Sequence, residues 1–554
     1  MSKPVTAAAC LACLAVFAIR GWFAVHATSP TFDEAVHLTG GYSYWRTGDF
    51  RINRETPPLM KLLWAVPLLV TERPPFRPDP DQWEKNDIWR MGDAFVYESP
   101  VSHLDRLIPA RMVNVAVGAV LVALVGWWAL RLWGRAAGVA GWILAAIDPN
   151  LLGQSAVLST DVGLTLFCTG AAYALWEYAA DPRRGWFVLA GVCLGLALAT
   201  KFSAAAAVVG CAAGAVVYVL AGGSFALPGE TAPAGRRERL GRIVPAFIRL
   251  GLIAAVTILP AYFFVQALDW ARGLRQQLGR NEFELPHYYL NGEISTSGWW
   301  YYFPEALALK VPAGTLLLAA ASVAAARWGR PFTRRDVAFV IVPAAVFLLA
   351  MMAARLNLGL RVILPAYPVL WLLAARLLTV GAGSIRGALV GGAVAAGVLL
   401  PPVLDRDWFG QQSLAYFNGV VAGRADGHRY LGDSNIDWGQ GLGWLSAELR
   451  ERGDPVIYLS YAGTARPEAE SIRYEKLPGW GQFRPPTEDR VDHSGPVLVA
   501  VSVSNLQGTY LPDPNTYRWL MDREPVSRTD GSIWLFDVTG DADAIARLRA
   551  LAGR

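Results

Sequence analysis

The chain is short of charge, of lysine and of cysteine. Only 17% of its 554 residues are charged, against about a quarter in an ordinary soluble domain, which excludes a soluble enzyme of this length. Six of the 50 basic residues are Lys. The net charge of +5 is no sign of a nucleic-acid partner, because the arginines cluster in short loops between apolar runs. The five cysteines, Cys10, Cys13, Cys168, Cys193 and Cys211, all lie in apolar runs. The C-terminal part therefore has no disulfide frame. The Cys10/Cys13 pair lacks a second pair and reads as packing rather than metal or redox chemistry. A small-residue cleavage site is missing after the first apolar run, so residues 5–27 are expected to be a retained helix and not a cleaved signal. An internal repeat of the kind transporters carry is also missing.

Apolar residues are plentiful, at 54%, with 22 Trp. Runs of about 20 residues read as membrane helices. Eleven are expected, near 5–27, 107–130, 136–155, 161–179, 185–200, 203–222, 243–268, 306–326, 337–354, 358–379 and 385–404. With the N-terminus cytoplasmic, the inner loops hold Arg131 and Arg135, Arg183 and Arg184, Arg236 to Arg242, Arg327 to Arg335, and Arg376 and Arg386. This one-sided charge fits the positive-inside rule. An odd number of spans then puts residues after 405 outside. The expected organisation is a transmembrane unit over 1–404 followed by an extracytoplasmic α/β domain over 405–554. Strand-like runs at Val456 to Ser460 and Val497 to Val503, and a helical run at Leu442 to Arg452, carry the α/β reading. Residues 28–106 form a first outer loop whose short apolar run, Leu59 to Val70, reads as an interfacial helix. Residues 269–305 form a second outer loop rich in Tyr and Trp, suited equally to a membrane-interface belt and to stacking on sugar rings.

Charge is most informative where it is least expected. Asp33 and Glu34 follow directly on the first span, where carboxylates are costly to desolvate. Thr31 and Glu34 have capping-box spacing, which gives Glu34 a structural duty. Asp33 is left in the first helical turn, where the dipole favours an ionised base. His37 lies one turn beyond. Asp49 and Glu55 follow, Glu55 on a turn stiffened by Pro57 and Pro58 that can return it toward Asp33. Asp148, Asp161, Lys201, Arg355 and Arg361 fall on the same outer side. Asp161 suits a helix N-cap; the three cations suit a lipid phosphate or simple snorkelling. Asp433, Asp437 and Trp438 can contact an acceptor or form a turn with Trp438 buried.

These residues resemble bacterial glycosyltransferase family 39, the protein O-mannosyltransferase-like members of the GT-C superfamily. The matching pieces are Asp33-Glu34, Gly48-Asp49, Glu55-Thr56-Pro57-Pro58-Leu59, Thr160-Asp161 and Gly195 to Lys201. Further along come Gly298 to Pro304, Asn357 to Pro365, Tyr416-Phe417-Asn418, Asp433 to Gln440 and Ser502 to Gly508. Their order spans nearly the whole chain. Two positions depart from the pattern: Thr56 and Val362 stand where relatives commonly have His. The resemblance implies a GT-C-like membrane glycosyltransferase of the bacterial inner membrane, with an inverting mechanism. It would move a sugar, mannose-like or another hexose or pentose, from a polyprenyl-phosphate donor to a hydroxyl acceptor on a protein, lipid or glycan. It implies catalytic roles for Asp33 and Glu34, phosphate contacts for Lys201, Arg361, Arg355 and Asp161, and support from Asp49 and Glu55. A divalent metal near the donor, with Glu55 and His287 as ligands, is left open. A transporter or lipid flippase is the competing class. Acidic residues at helix ends on one face, and not at the bilayer midplane, favour the enzyme.

Overall fold

The computed structural model describes residues 2–225, 227–230, 235–279, 288–325, 331–377, 392, 407, 409–419, 426–481, 489–529 and 531–553. It is mostly helical, with a C-terminal sheet. Among the described residues, four helices are long and apolar enough to cross a membrane: Lys3–Ala27, His103–Trp133, Arg236–Tyr262 and Arg334–Ala354. Three bent pairs raise the number to seven. Each bend carries a proline at or beside it. Arg135–Ile147 turns by 57° into Pro149–Ser155, Tyr302–Lys310 by 114° into Ala313–Ala324, and Leu360–Ala366 by 57° into Pro368–Leu377. Proline removes a donor and clashes with the preceding turn, which is why the chain breaks there.

The expected eleven exceed this number. Thr160–Ala180, Arg184–Leu198 and Ala204–Leu220 are helices at three expected spans but fall outside the set that passes on length and apolarity. Thr160–Ala180 is buried along most of its length, Thr165, Thr169 and Glu177 included. A helix enclosed by protein need not present an apolar face to lipid. The span expected at 385–404 lies outside the described residues apart from Gly392.

The segment 28–106, expected to be the first outer loop, is built from helices Glu34–Thr47, Leu59–Val70, Pro80–Lys85 and Ile88–Tyr97. Leu59–Val70 buries Met60, Lys61, Trp64 and Leu68 while Leu63, Val66 and Val70 stay exposed. One face packs on protein and the other is apolar and open. Gly41 lets helix Glu34–Thr47 approach it closely, since a Cβ there would stand 1.9 Å from the Lys61 carbonyl oxygen.

The aromatic-rich second loop carries a hairpin, β1 (Tyr288–Leu290) and β2 (Glu293–Ser295). Tyr288, Tyr289 and Tyr302 are buried, whereas Trp300 and Tyr301 are exposed. The C-terminal sheet contains β3 (Ile457–Ser460), β4 (Tyr474–Lys476), β5 (Leu498–Ser502), β6 (Ser527–Thr529) and β7 (Ile533–Asp537) in the order β4-β3-β5-β7-β6. The three strands β4, β3 and β5 are parallel, and β7 and β6 are antiparallel. β3 and β5 are buried throughout, as continuous apolar runs covered on both faces should be. Helix Leu442–Glu451 lies where a helical run was expected.

The sheet domain is fastened to the start of the first loop. Ser29 N donates to Gln440 O at 3.1 Å and Phe32 N to Trp438 O at 3.0 Å. Ser29 Oγ donates to Glu470 at 2.9 Å, and Thr464 Oγ1 to the Phe32 carbonyl at 2.7 Å. The backbone that leads into Asp33 is therefore held by the sheet domain.

Candidate active site

The two members of the acidic pair lead separate lives. Glu34 is fully buried. Its Oε1 accepts from Arg111 Nε at 2.8 Å and Leu158 N at 3.0 Å, and its Oε2 from Arg111 Nη2 at 2.6 Å and Thr31 N at 2.7 Å. The bond to Thr31 N is the capping contact the spacing predicts, although Thr31 Oγ1 makes no reciprocal bond. Arg111 gives its remaining donors to Val25 O, Thr28 O and Ser29 O at 3.0, 2.6 and 3.1 Å. Burial raises the Glu34 carboxyl, but the Arg111 charge and these hydrogen bonds outweigh it and hold the carboxyl below the usual range. Every strong site on this ion pair is used. The geometry makes Glu34 the knot that ties the end of the first span to helix His103–Trp133.

Asp33 stands at the N-cap position of helix Glu34–Thr47, with no side-chain cap bond, and is half-buried. Burial pushes its carboxyl above the ordinary value, and the charges it feels come from Arg361, Lys201, Glu55 and Asp161. These four reach it from four distant stretches of chain. Asp161 lies in the first turn of Thr160–Ala180, where the capping oxygen belongs to Ser159 and not, as expected, to Asp161. Its carboxylate instead binds Lys201 Nζ at 2.6 Å and Arg361 Nη1 at 3.5 Å. Lys201 follows helix Arg184–Leu198, and Arg361 sits in the first part of a bent pair. Arg361 also donates from Nε to Ser434 Oγ at 2.9 Å and lies over the Trp438 ring at 4.4 Å. Asp433, with φ of 55°, is bonded by the Tyr510 hydroxyl. Residues assigned to donor and to acceptor thus meet around one guanidinium.

Three expected site residues lie elsewhere. Arg355 is exposed at the left-handed C-cap of Val342–Ala354, and among the described residues no ion pair joins it to the cluster. Asp49 binds Arg51 at 2.7 Å within its own loop. Asp437 turns into the sheet domain, accepting from Ser504 N at 3.0 Å and Gly439 N at 3.2 Å. His287 lies outside the described residues. Among those described, no group of three His, Cys, Asp or Glu is placed to hold a metal ion.

Two residues that sequence reasoning left unassigned shape the site. One is Arg111. The other is Lys61, fully buried, whose Nζ donates to Thr56 O at 2.6 Å, Asn53 O at 2.7 Å, Tyr44 Oη at 2.9 Å and Asn53 Oδ1 at 3.0 Å. It clamps the turn that carries Glu55, and Asn53 Nδ2 in turn reaches Glu55 at 3.3 Å. Asn53 is left-handed, with φ of 53°, a conformation Asn tolerates better than most residues. His37 faces this turn, and burial pushes its imidazole down to about 3, so it is neutral. A lone Lys beginning an apolar run was the available signal for the clamp.

Residues 10–267 match the family model for dolichyl-phosphate-mannose-protein mannosyltransferases. In structure, the chain is similar to ArnT from Cupriavidus metallidurans bound to undecaprenyl phosphate, at TM-score 0.52 and 13% identity over 98% of this chain and 99% of that one. The chain has the GT-C fold. The chain also aligns with the same ArnT in its apo state, at TM-score 0.49 and 14% identity over 95% and 97% of the two chains. With the Saccharomyces cerevisiae Pmt1–Pmt2 complex bound to the sugar donor, the figures are 0.31 and 17% over 52% and 38%. No curated protein sequence matches the chain.

Proposed function

We propose that this protein is a membrane glycosyltransferase that moves a sugar from a polyprenyl-phosphate donor to a hydroxyl acceptor on the outer face of a bacterial inner membrane. The observation that carries the reading is the convergence of half-buried Asp33 with Lys201 and Arg361, two cations held by the shared carboxylate Asp161. One group can take a proton and two can receive a phosphate. The mannosyltransferase pattern over residues 10–267 and the fold shared with an ArnT bound to undecaprenyl phosphate support the choice of donor.

In this reaction the acceptor oxygen attacks the anomeric carbon on the face opposite the phosphate. The new C–O bond forms as the bond to the phosphate oxygen breaks, and the polyprenyl phosphate leaves with the electron pair. Asp33 takes the hydroxyl proton during attack, since a carboxylate is too weak a base to ionise an alcohol beforehand. Lys201 and Arg361 stabilise charge on the departing phosphate. Asp161 pre-orients both cations, and Glu34 holds the backbone that presents Asp33. No step is assigned to a metal. The outer position follows from the Arg-rich inner loops.

The test is stereochemical. Purified protein supplied with a polyprenyl-phosphate sugar and its acceptor should give a product of inverted anomeric configuration by NMR. A product that keeps the donor configuration contradicts direct attack with Asp33 as the base.

A further inference from the structure

Between the 28–106 segment and the sheet domain lies a cleft of the concave kind that small molecules use. Helix Ile88–Tyr97 supplies one wall with Trp89, Arg90 and Asp93. Thr464, with Tyr474 and Lys476 of β4, supplies the other. Residues two apart on a strand share a face, so the cleft lies over the face of the sheet. A peptide adding to a sheet edge would be held by an open strand backbone instead. Ala35, Val36 and Pro467 make part of the lining apolar, and Arg90, Asp93 and Lys476 add charge of both signs.

What such a lining suits is a sugar ring. The half-buried Trp89 indole offers an apolar face to ring C–H groups, and the charged rim offers donors and acceptors to hydroxyls. The walls are also fixed. Arg466 grips Asp93 at 2.6 and 3.0 Å, and Tyr474 Oη donates to Glu468 at 2.9 Å.

The cleft is joined to the cluster by a row of rings. Phe32, the residue before Asp33, meets Trp89 edge-on at 5.1 Å and stacks on Trp480 at 5.7 Å. Trp480 stacks on Tyr510 at 5.0 Å, and the Tyr510 hydroxyl bonds Asp433 beside Arg361. From these placements we infer that the cleft is a carbohydrate subsite, which makes the acceptor a glycan that reaches Asp33 past Phe32. The inference rests on the glycosyltransferase reading for its role, but not for its binding.

Binding can be measured without turnover. The full-length protein in detergent would be titrated by calorimetry with mannobiose, cellobiose and chitobiose, and with a Ser/Thr-containing peptide. At least one disaccharide should bind. Trp89→Ala and Lys476→Met should each weaken it by about tenfold, with the unfolding temperature and undecaprenyl phosphate binding unchanged. Failure of all three disaccharides to bind, equal binding by the variants, or a peptide bound through Trp89 would overturn the inference. If disaccharide binding tracks Trp89 but the protein transfers no sugar, the cleft stands and the glycosyltransferase reading falls.

Discussion

Glu34–Arg111 and Asp33–Asp161–Lys201–Arg361 are two ionic assemblies separated by a single peptide bond. In the first, one acid meets one base in full burial, and hydrogen bonds use every strong position. In the second, Asp33 and Asp161 share two cations, Asp33 has no cap bond, and the side chains of Lys201 and Arg361 keep 28% and 15% of their exposure. A closed pair leaves no lone pair or proton for a substrate. A half-open cluster with an acid held apart from its cations does. Under the proposed reaction, adjacent residues of one chemical type divide into support and chemistry according to what surrounds them.

The comparison breaks most visibly on the closed side. Glu34→Gln or Arg111→Met leaves a buried charge without its partner, which costs about 3–5 kcal/mol. Thermal unfolding should show a large loss of stability in both. A variant of Glu34 that keeps its unfolding temperature but loses transfer would put it back among the catalytic groups.

On the open side, Lys201→Ala removes a charge-assisted donor worth roughly 1.5–3 kcal/mol. Undecaprenyl phosphate should bind about ten- to a hundredfold more weakly, with the acceptor KM unchanged. Equal weakening of donor and acceptor would contradict a phosphate role.

A smaller effect concerns pH. Burial raises the Asp33 carboxyl, so the ionised base is lost on acidification at a higher pH than an unperturbed Asp, near 3.9, would show. The acid limb of the rate profile should therefore lie above that value. The sign for stability is opposite: a raised carboxyl favours the fold below the unfolded value and loses that contribution as pH rises through the folded one. Asp33→Asn should then be as stable as the parent at neutral pH, or more so. A marked loss of stability would place Asp33 with Glu34. The smallest effect is expected at Asp49, whose partly exposed pair with Arg51 should contribute only about 0–1 kcal/mol. Asp49→Asn should change neither unfolding nor transfer appreciably.

Much of this arrangement was legible in local patterns. Apolar runs located the helices, and the Thr31–Glu34 spacing announced a hydrogen bond that is present at 2.7 Å. The sidedness expected for Asp33, Asp161, Lys201 and Arg361 put them together, and in the structure they meet. Long-range partners were harder to see. Arg111 is one arginine inside an apolar helix, and nothing local says that its partner lies 77 residues away. Asp161 looked like a cap because cap chemistry is local, whereas its ion pairs reach Lys201 and Arg361 across the fold. Asp437 and Asp433 were indistinguishable as acids in one segment. Only the turn between them sends Asp437 toward Ser504 and leaves Asp433 beside Arg361.

The most direct test of the central claim is Asp33→Asn, measured for undecaprenyl phosphate binding and for sugar transfer in the same preparation. The expected result is donor binding close to that of the parent and transfer slowed by about 10²–10⁴-fold, the usual contribution of a positioned general base. Transfer at the parent rate would contradict Asp33 as the base.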